Sequence, residues 1–171
     1  MSRRKQPVKE KEPRQSRPLH TPFVGALLRL ALQQVRGRMH DAVRDAGFTD
    51  IQEAHFMVFS YPPPDGVRPS DLARQKQMSR QAINYLLAQL EDLGYLERRA
   101  PVGSDRRLVY LTARGWQVLE TILTCLRQVE AEWAAEIGQQ RFDVFLAVLR
   151  QLSAKSVQAM RSTWQEGQPA G

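Results

Sequence analysis

Arg80, Gln81, Asn84 and Tyr85 fall on one face of a short stretch of the chain. Arginine bonds guanine bidentately and glutamine or asparagine bonds adenine, so these are the residue types that read base edges in a major groove. Ser79, just before them, is suited to cap a helix and also to touch a phosphate. A second group lies further on, Ser104-Asp105-Arg106-Arg107. Asp105 stands two residues before Arg107, a spacing at which a carboxylate can orient a guanidinium through a bidentate pair. An arginine held in this way suits a narrow minor groove, with Arg98, Arg99 and Arg106 left for phosphates. The plainer readings are a solvated helix face and a surface hairpin whose ion pair is worth little.

What separates these readings is the set of elements that must carry the side chains. Ser70 caps a first short helix that contributes Leu72 and Ala73. Met78 leads into Ser79, which opens a longer helix from Arg80 to Leu93 with Ile83, Leu86, Leu87, Leu90 and Leu93 on a stripe to be buried. Gly94 closes that helix, Tyr95 to Arg99 leaves it as a strand, and Leu108 to Leu111 returns as the partner strand. Helix, turn, helix and wing, in that order, is a nucleic-acid-reading arrangement.

Long amphipathic helices flank this module. Thr21-Pro22 starts the first, with Pro22 at its first helical position, and Val24, Leu27, Leu28, Ala31, Val35, Met39 and Val43 recur at three-to-four spacing towards Gly47. Thr49 opens a second helix with Gln52 three residues later, as in a capping box. Pro62-Pro63-Pro64 ends it. Thr112 caps a long helix with Leu119, Ile122, Leu123, Leu126, Val129, Trp133 and Ile137 on its stripe. Gly138 breaks that helix, and Arg141 starts a last one bearing Phe142, Phe145, Leu149, Leu152, Met160 and Trp164. The fold class is therefore mainly α: a winged helix-turn-helix domain with a small β-hairpin wing and long N- and C-terminal dimerisation helices. The domain spans 19–165, with its DNA-binding part at about 50–111 and its dimerisation helices at about 22–46 and 113–164. So small a reading module cannot cover every apolar stripe, and a symmetric dimer is the economical solution.

Bulk properties agree with this and exclude other classes. The chain has 171 residues, a net charge of +7 and a pI of about 10.1, which favours polyanionic partners. The surplus is concentrated in residues 1–18, where seven Lys/Arg face two Glu, in a segment too polar to order itself. That segment reads as a disordered basic tail, and 166–171 as a second disordered tail. The single cysteine, Cys125, excludes an intrachain disulfide and reads as a buried, inert thiol among Ile122 and Leu126. His40 and His55, with Glu53 or Asp41, make too weak a set for a metal site. There is no nucleophile motif, phosphate loop or carboxylate pair, so neither an enzyme nor a cofactor is expected. With no apolar run long enough to span a bilayer and no signal region, a cytoplasmic protein without membrane contact is expected.

The block Leu72-Ala73…Met78-Ser79-Arg80-Gln81-Ala82-Ile83…Gly94-Tyr95-Leu96-Glu97-Arg98, followed by Asp105-Arg106-Arg107…Leu111-Thr112…Gly115, resembles the MarR family of winged helix-turn-helix regulators. An acidic residue, one residue, an arginine, then a strand ending Leu-Thr-x-x-Gly is the pattern of that family's wing and the helix after it. The resemblance implies a homodimer on a pseudo-palindromic operator of double-stranded DNA, usually repressing and often released by a small phenolic or other aromatic effector. The family's wing arginine maps to Arg107, its partner acid to Asp105, and its base-reading positions to the Ser79–Tyr85 face. His55, Phe56, Phe59 and Trp116 are the candidates for an effector pocket between the first helix, the second helix and the start of the helix after the wing. The chain departs from the family at Lys76-Gln77, where an apolar residue and Gly are usual. That turn must either hold a non-glycine residue at positive φ or take another shape. The departure favours the rival reading, a winged-helix protein-interaction module without DNA binding.

Overall fold

The computed structural model describes residues 22–59, 66–101, 103 and 107–165. The expectations for residues 1–18, Thr21, Pro62–Pro64, Asp105, Arg106, the side chains of Met160 and Trp164, and 166–171 lie outside the described residues. Helix α1 covers Val24–Asp45. It begins two residues after Pro22, because the Phe23 carbonyl is the first to accept, taking the N–H groups of Ala26 and Leu27. The second helix also starts later than Thr49 suggests. It is a 3₁₀ turn, Glu53–His55, running into a single α-turn, α2, at Phe56–Phe59. His55 accounts for the shift: its Nδ1 accepts the Gln52 N–H at 3.1 Å, which places the cap at Gln52.

Helix α3 is Pro69–Gln75, with Arg68 as N-cap and Pro69 at the first position, so Ser70 sits inside the helix. Proline takes that place readily because its φ is preset and it has no N–H to satisfy. Helix α4, Arg80–Asp92, begins at Ser79, whose Oγ accepts the Ala82 N–H at 3.1 Å. Strands β1, Leu96–Arg99, and β2, Leu108–Leu111, pair antiparallel with Leu96 opposite Leu111 and Arg99 opposite Leu108. Tyr95 stands outside the strand, as a buried bend leading into it. Val67 adds a single bridge to Val109, which widens the wing at its base. Helix α5, Ala113–Ile137, is capped by the Thr112 hydroxyl. Helix α6, Gln139–Gln165, starts two residues ahead of Arg141, because the Gly138 carbonyl already accepts from Arg141 and Phe142.

The three helix ends around the reading module share one construction. After α1, α3 and α4, the second residue past the cap donates its N–H back five residues: Phe48 to Val43, Met78 to Ala73, Tyr95 to Leu90. Each such end needs a left-handed residue, supplied by Gly47 and Gly94 at two of them and by Gln77, with φ of 53°, at the third. The helix-turn-helix turn therefore keeps the usual geometry with a side chain where glycine is the easy solution.

The core forms where these pieces meet. Val43, Ile51, Val58, Phe59, Leu72, Ile83, Leu87, Leu90, Tyr95, Val109, Val118 and Ile122 are all buried in one cluster. Helix α5 lies along α1 and α6, and α6 also reaches α3. Gly115 has a steric task here, since a Cβ at that position would overlap the Tyr95 carbonyl oxygen. Val24, Leu27, Leu28 and Leu32 on α1 and Val144, Val148 and Leu152 on α6 remain exposed. Among the described residues no helix is long and apolar enough to cross a membrane.

Candidate nucleic-acid interface

Helix α4 separates its faces as its sequence requires. Ile83, Leu86, Leu87 and Leu90 are buried, while Ser79, Arg80, Gln81, Asn84 and Tyr85 are exposed in its first two turns. Tyr85 is 65% exposed, far more than an aromatic ring without a partner normally shows in a folded domain. Ser79 already accepts one backbone N–H. The positive end of the helix dipole at this terminus favours an anion.

The wing arginines differ from one another. Arg98 pairs through Nε with Glu91 on α4 at 3.1 Å and is largely covered. Arg99 lies over the Tyr110 ring, 4.0 Å from its centroid, and approaches Glu97 at 3.4 Å. Both are engaged by their own chain, whereas Arg107 is exposed at the entry to β2. Gly66 leaves room for Tyr110, since a Cβ there would lie 2.6 Å from the ring. Asp105 and Arg106 are outside the described residues.

The effector candidates separate. His55 and Phe59 are almost wholly buried, His55 with Nε2 3.2 Å from Gln89 Oε1, and Phe56 is half-buried. Trp116 is 41% exposed. An open cavity of about 650 Å³ lies instead between α1 and α5, lined among others by Ala42, Phe48, Gln117, Glu120, Thr121 and Cys125. None of the four candidates lines it. Cys125 is buried there, and burial pushes its thiol above the ordinary value, away from the reactive thiolate.

One cluster at the base of the wing went unseen in the sequence. The Tyr95 hydroxyl donates to Asp50 Oδ1, and Arg114 Nη2 reaches Asp50 Oδ2 and the Tyr95 oxygen, each at 2.9 Å. Burial acts to raise the Asp50 carboxyl, but the Tyr95 hydroxyl, a backbone N–H and the Arg114 guanidinium outweigh it and hold it below its usual range. Burial, then the Asp50 carboxylate, pushes the Tyr95 hydroxyl up, so it stays a donor. These residues are 45 and 64 positions apart in their pairings, and no local pattern marks them.

Two reading elements, a capped helix with a polar face and a paired wing, define a winged helix-turn-helix protein. In this part the chain is similar to the MarR family, whose model matches residues 61–108, the helix-turn-helix and the first strand of the wing. The HTH-type transcriptional repressor Rv2887 of Mycobacterium tuberculosis is 29% identical over 132 residues, covering 77% of this chain and 94% of the repressor. Its structure with salicylic acid aligns with a TM-score of 0.56 at 27% identity, over 78% of this chain and 98% of that one. Its structure with DNA aligns with a TM-score of 0.57 at 24% identity, over 77% and 98%. These similar proteins are named as regulators of transcription.

Proposed function

We propose that the protein represses transcription as a homodimer on a pseudo-palindromic operator, each subunit laying Arg80, Gln81, Asn84 and Tyr85 in a major groove and Arg107 in the adjacent minor groove. The observation that carries this reading is the first half of α4, capped by Ser79 and presenting its polar residues to solvent while the opposite stripe is buried. The DNA-binding part is 50–111, and the helices on either side join the subunits. Half-sites then lie about 34 Å apart, one helical turn. Arg98 and Arg99 contribute to phosphate binding from the positions their own partners set.

The rival, an interaction module without DNA binding, drew its support from Lys76-Gln77. That turn closes with the same backbone bonds as the two glycine-ended helices, so the departure no longer favours it. A small aromatic effector fits the cavity between α1 and α5 better than the buried His55 and Phe59, and the similar repressor Rv2887 is known with salicylic acid. Fluorescence anisotropy with duplexes from the gene's own upstream region tests the proposal. Affinity should fall steeply with salt as counterions are released. Arg107→Ala should weaken binding about tenfold across sequences. An Arg107→Ala protein with native circular dichroism that binds as tightly as the parent would remove the wing from the mechanism.

A further inference from the structure

We propose that Asp50, Tyr95 and Arg114 are positioning residues for operator binding, a clamp that fixes α4 and the wing at a set angle to α1 and α5. The inference rests on the DNA-binding reading above and adds to it what holds the reading head in register.

Each residue belongs to a different segment: Asp50 to the connection after α1, Tyr95 to the root of the wing, Arg114 to the first turn of α5. Tyr95 is the point where they converge. Its N–H donates to Leu90 of α4 at 2.8 Å, and its carbonyl accepts from Thr112, ahead of α5, at 3.1 Å. Its ring meets Phe48 and Phe59 edge-on, with centroids 6.2 and 6.3 Å away. The Arg114 guanidinium carbon lies 4.5 Å from the ring centroid while its Nη2 bonds the hydroxyl and Asp50. The Arg114 and Asp50 side chains are 48% and 35% exposed. A pair so solvated adds little stability. Its consequence is directional: it ties the wing's base by side chains to the connection after α1 and to the first turn of α5. In a dimer those helices carry the symmetry axis, so the clamp sets the separation of the two heads.

The test uses the full chain and an operator selected from random duplexes. One base pair is inserted or removed between the half-sites, and binding is compared for the parent, Arg114→Ala and Tyr95→Phe. The parent should lose about tenfold on the altered spacings. Arg114→Ala should bind the original spacing more weakly yet discriminate little between spacings, with its melting temperature nearly unchanged. Arg114→Lys, which keeps the charge beside Asp50, should recover part of the discrimination. A variant that retains the parent's spacing preference overturns the clamp, whether or not its stability changes. A second measurement stands apart from DNA. Spin labels at Ala88→Cys on α4 and Glu130→Cys on α5, in a Cys125→Ser chain diluted with unlabelled protein, report the head-to-helix distance. Tyr95→Phe and Arg114→Ala should broaden that distance distribution, and unchanged widths overturn the clamp. If no duplex is selected, the DNA-binding reading fails, and the distance widths still decide the clamp.

Discussion

Asp50 shows how one carboxylate can record the packing of three segments. Burial by itself would raise its pKa, but the Tyr95 hydroxyl, a backbone N–H and Arg114 hold it below the usual value. A carboxyl lowered in the folded state stabilises that state fully above the unfolded value, about 3.9, and the benefit disappears as the pH falls through the folded value. Asp50→Asn should therefore melt below the parent at pH 7, and the gap should close as the pH drops below about 4. Melting curves of both proteins from pH 7 to pH 3 check this. A gap that stays constant over the whole range would mean that the charge on Asp50 contributes nothing. Arg107 is the contrasting case: it is exposed, and the role proposed for it lies in DNA affinity.

At the scale of elements, the turn between α3 and α4 is the place where sequence and geometry disagree most. Gln77 occupies a left-handed conformation that Gly47 and Gly94 occupy at the equivalent helix ends. A side chain there costs about 1 kcal/mol relative to glycine, partly offset by the entropy glycine loses on folding. Gln77→Gly should raise the melting temperature by about 2 °C, and the β-branched Gln77→Val should lower it. Differential scanning calorimetry of the pair decides the point, and a Gln77→Gly protein less stable than the parent would show that the side chain does more than endure strain. The order of elements around this turn was legible because its signals are local: Ser79 as a cap, the four-residue stripe of α4, Gly94, the paired strands, Thr112. Helix starts at Thr49, Ser70 and Arg141 were misplaced, because a good capping residue competes with neighbours that the sequence does not rank. His55 took the second helix's cap through a side-chain bond, and Pro69 took the first position of α3. The Asp50–Tyr95–Arg114 contacts and the cavity at Phe48 depend on segments distant in the chain, and no spacing rule reaches that far.

For the whole molecule, the unresolved account is apolar surface. On α6, Val144, Val148 and Leu152 follow one another at four-residue spacing with 60%, 47% and 74% of their surface exposed. On α1, Val24, Leu28 and Leu32 repeat the pattern at 71%, 46% and 48%. Stripes of this kind are the marks of helices that expect another helix, and apolar contact is worth about 25 cal/mol per Å² removed from water. A second copy of the chain supplies the same stripes in return, which a two-fold axis makes self-complementary. The protein should therefore sediment at twice its chain mass of 19.6 kDa, with a melting temperature that rises with concentration. Val148→Asp, placed on the exposed stripe and away from the core, should shift the protein towards single chains while leaving its circular dichroism intact. It should also weaken binding to the two-half-site duplex far more than to an isolated half-site, because the second contact is no longer intramolecular. Sedimentation of the parent as a single chain at micromolar concentration would end the dimer reading, and the half-site geometry would go with it.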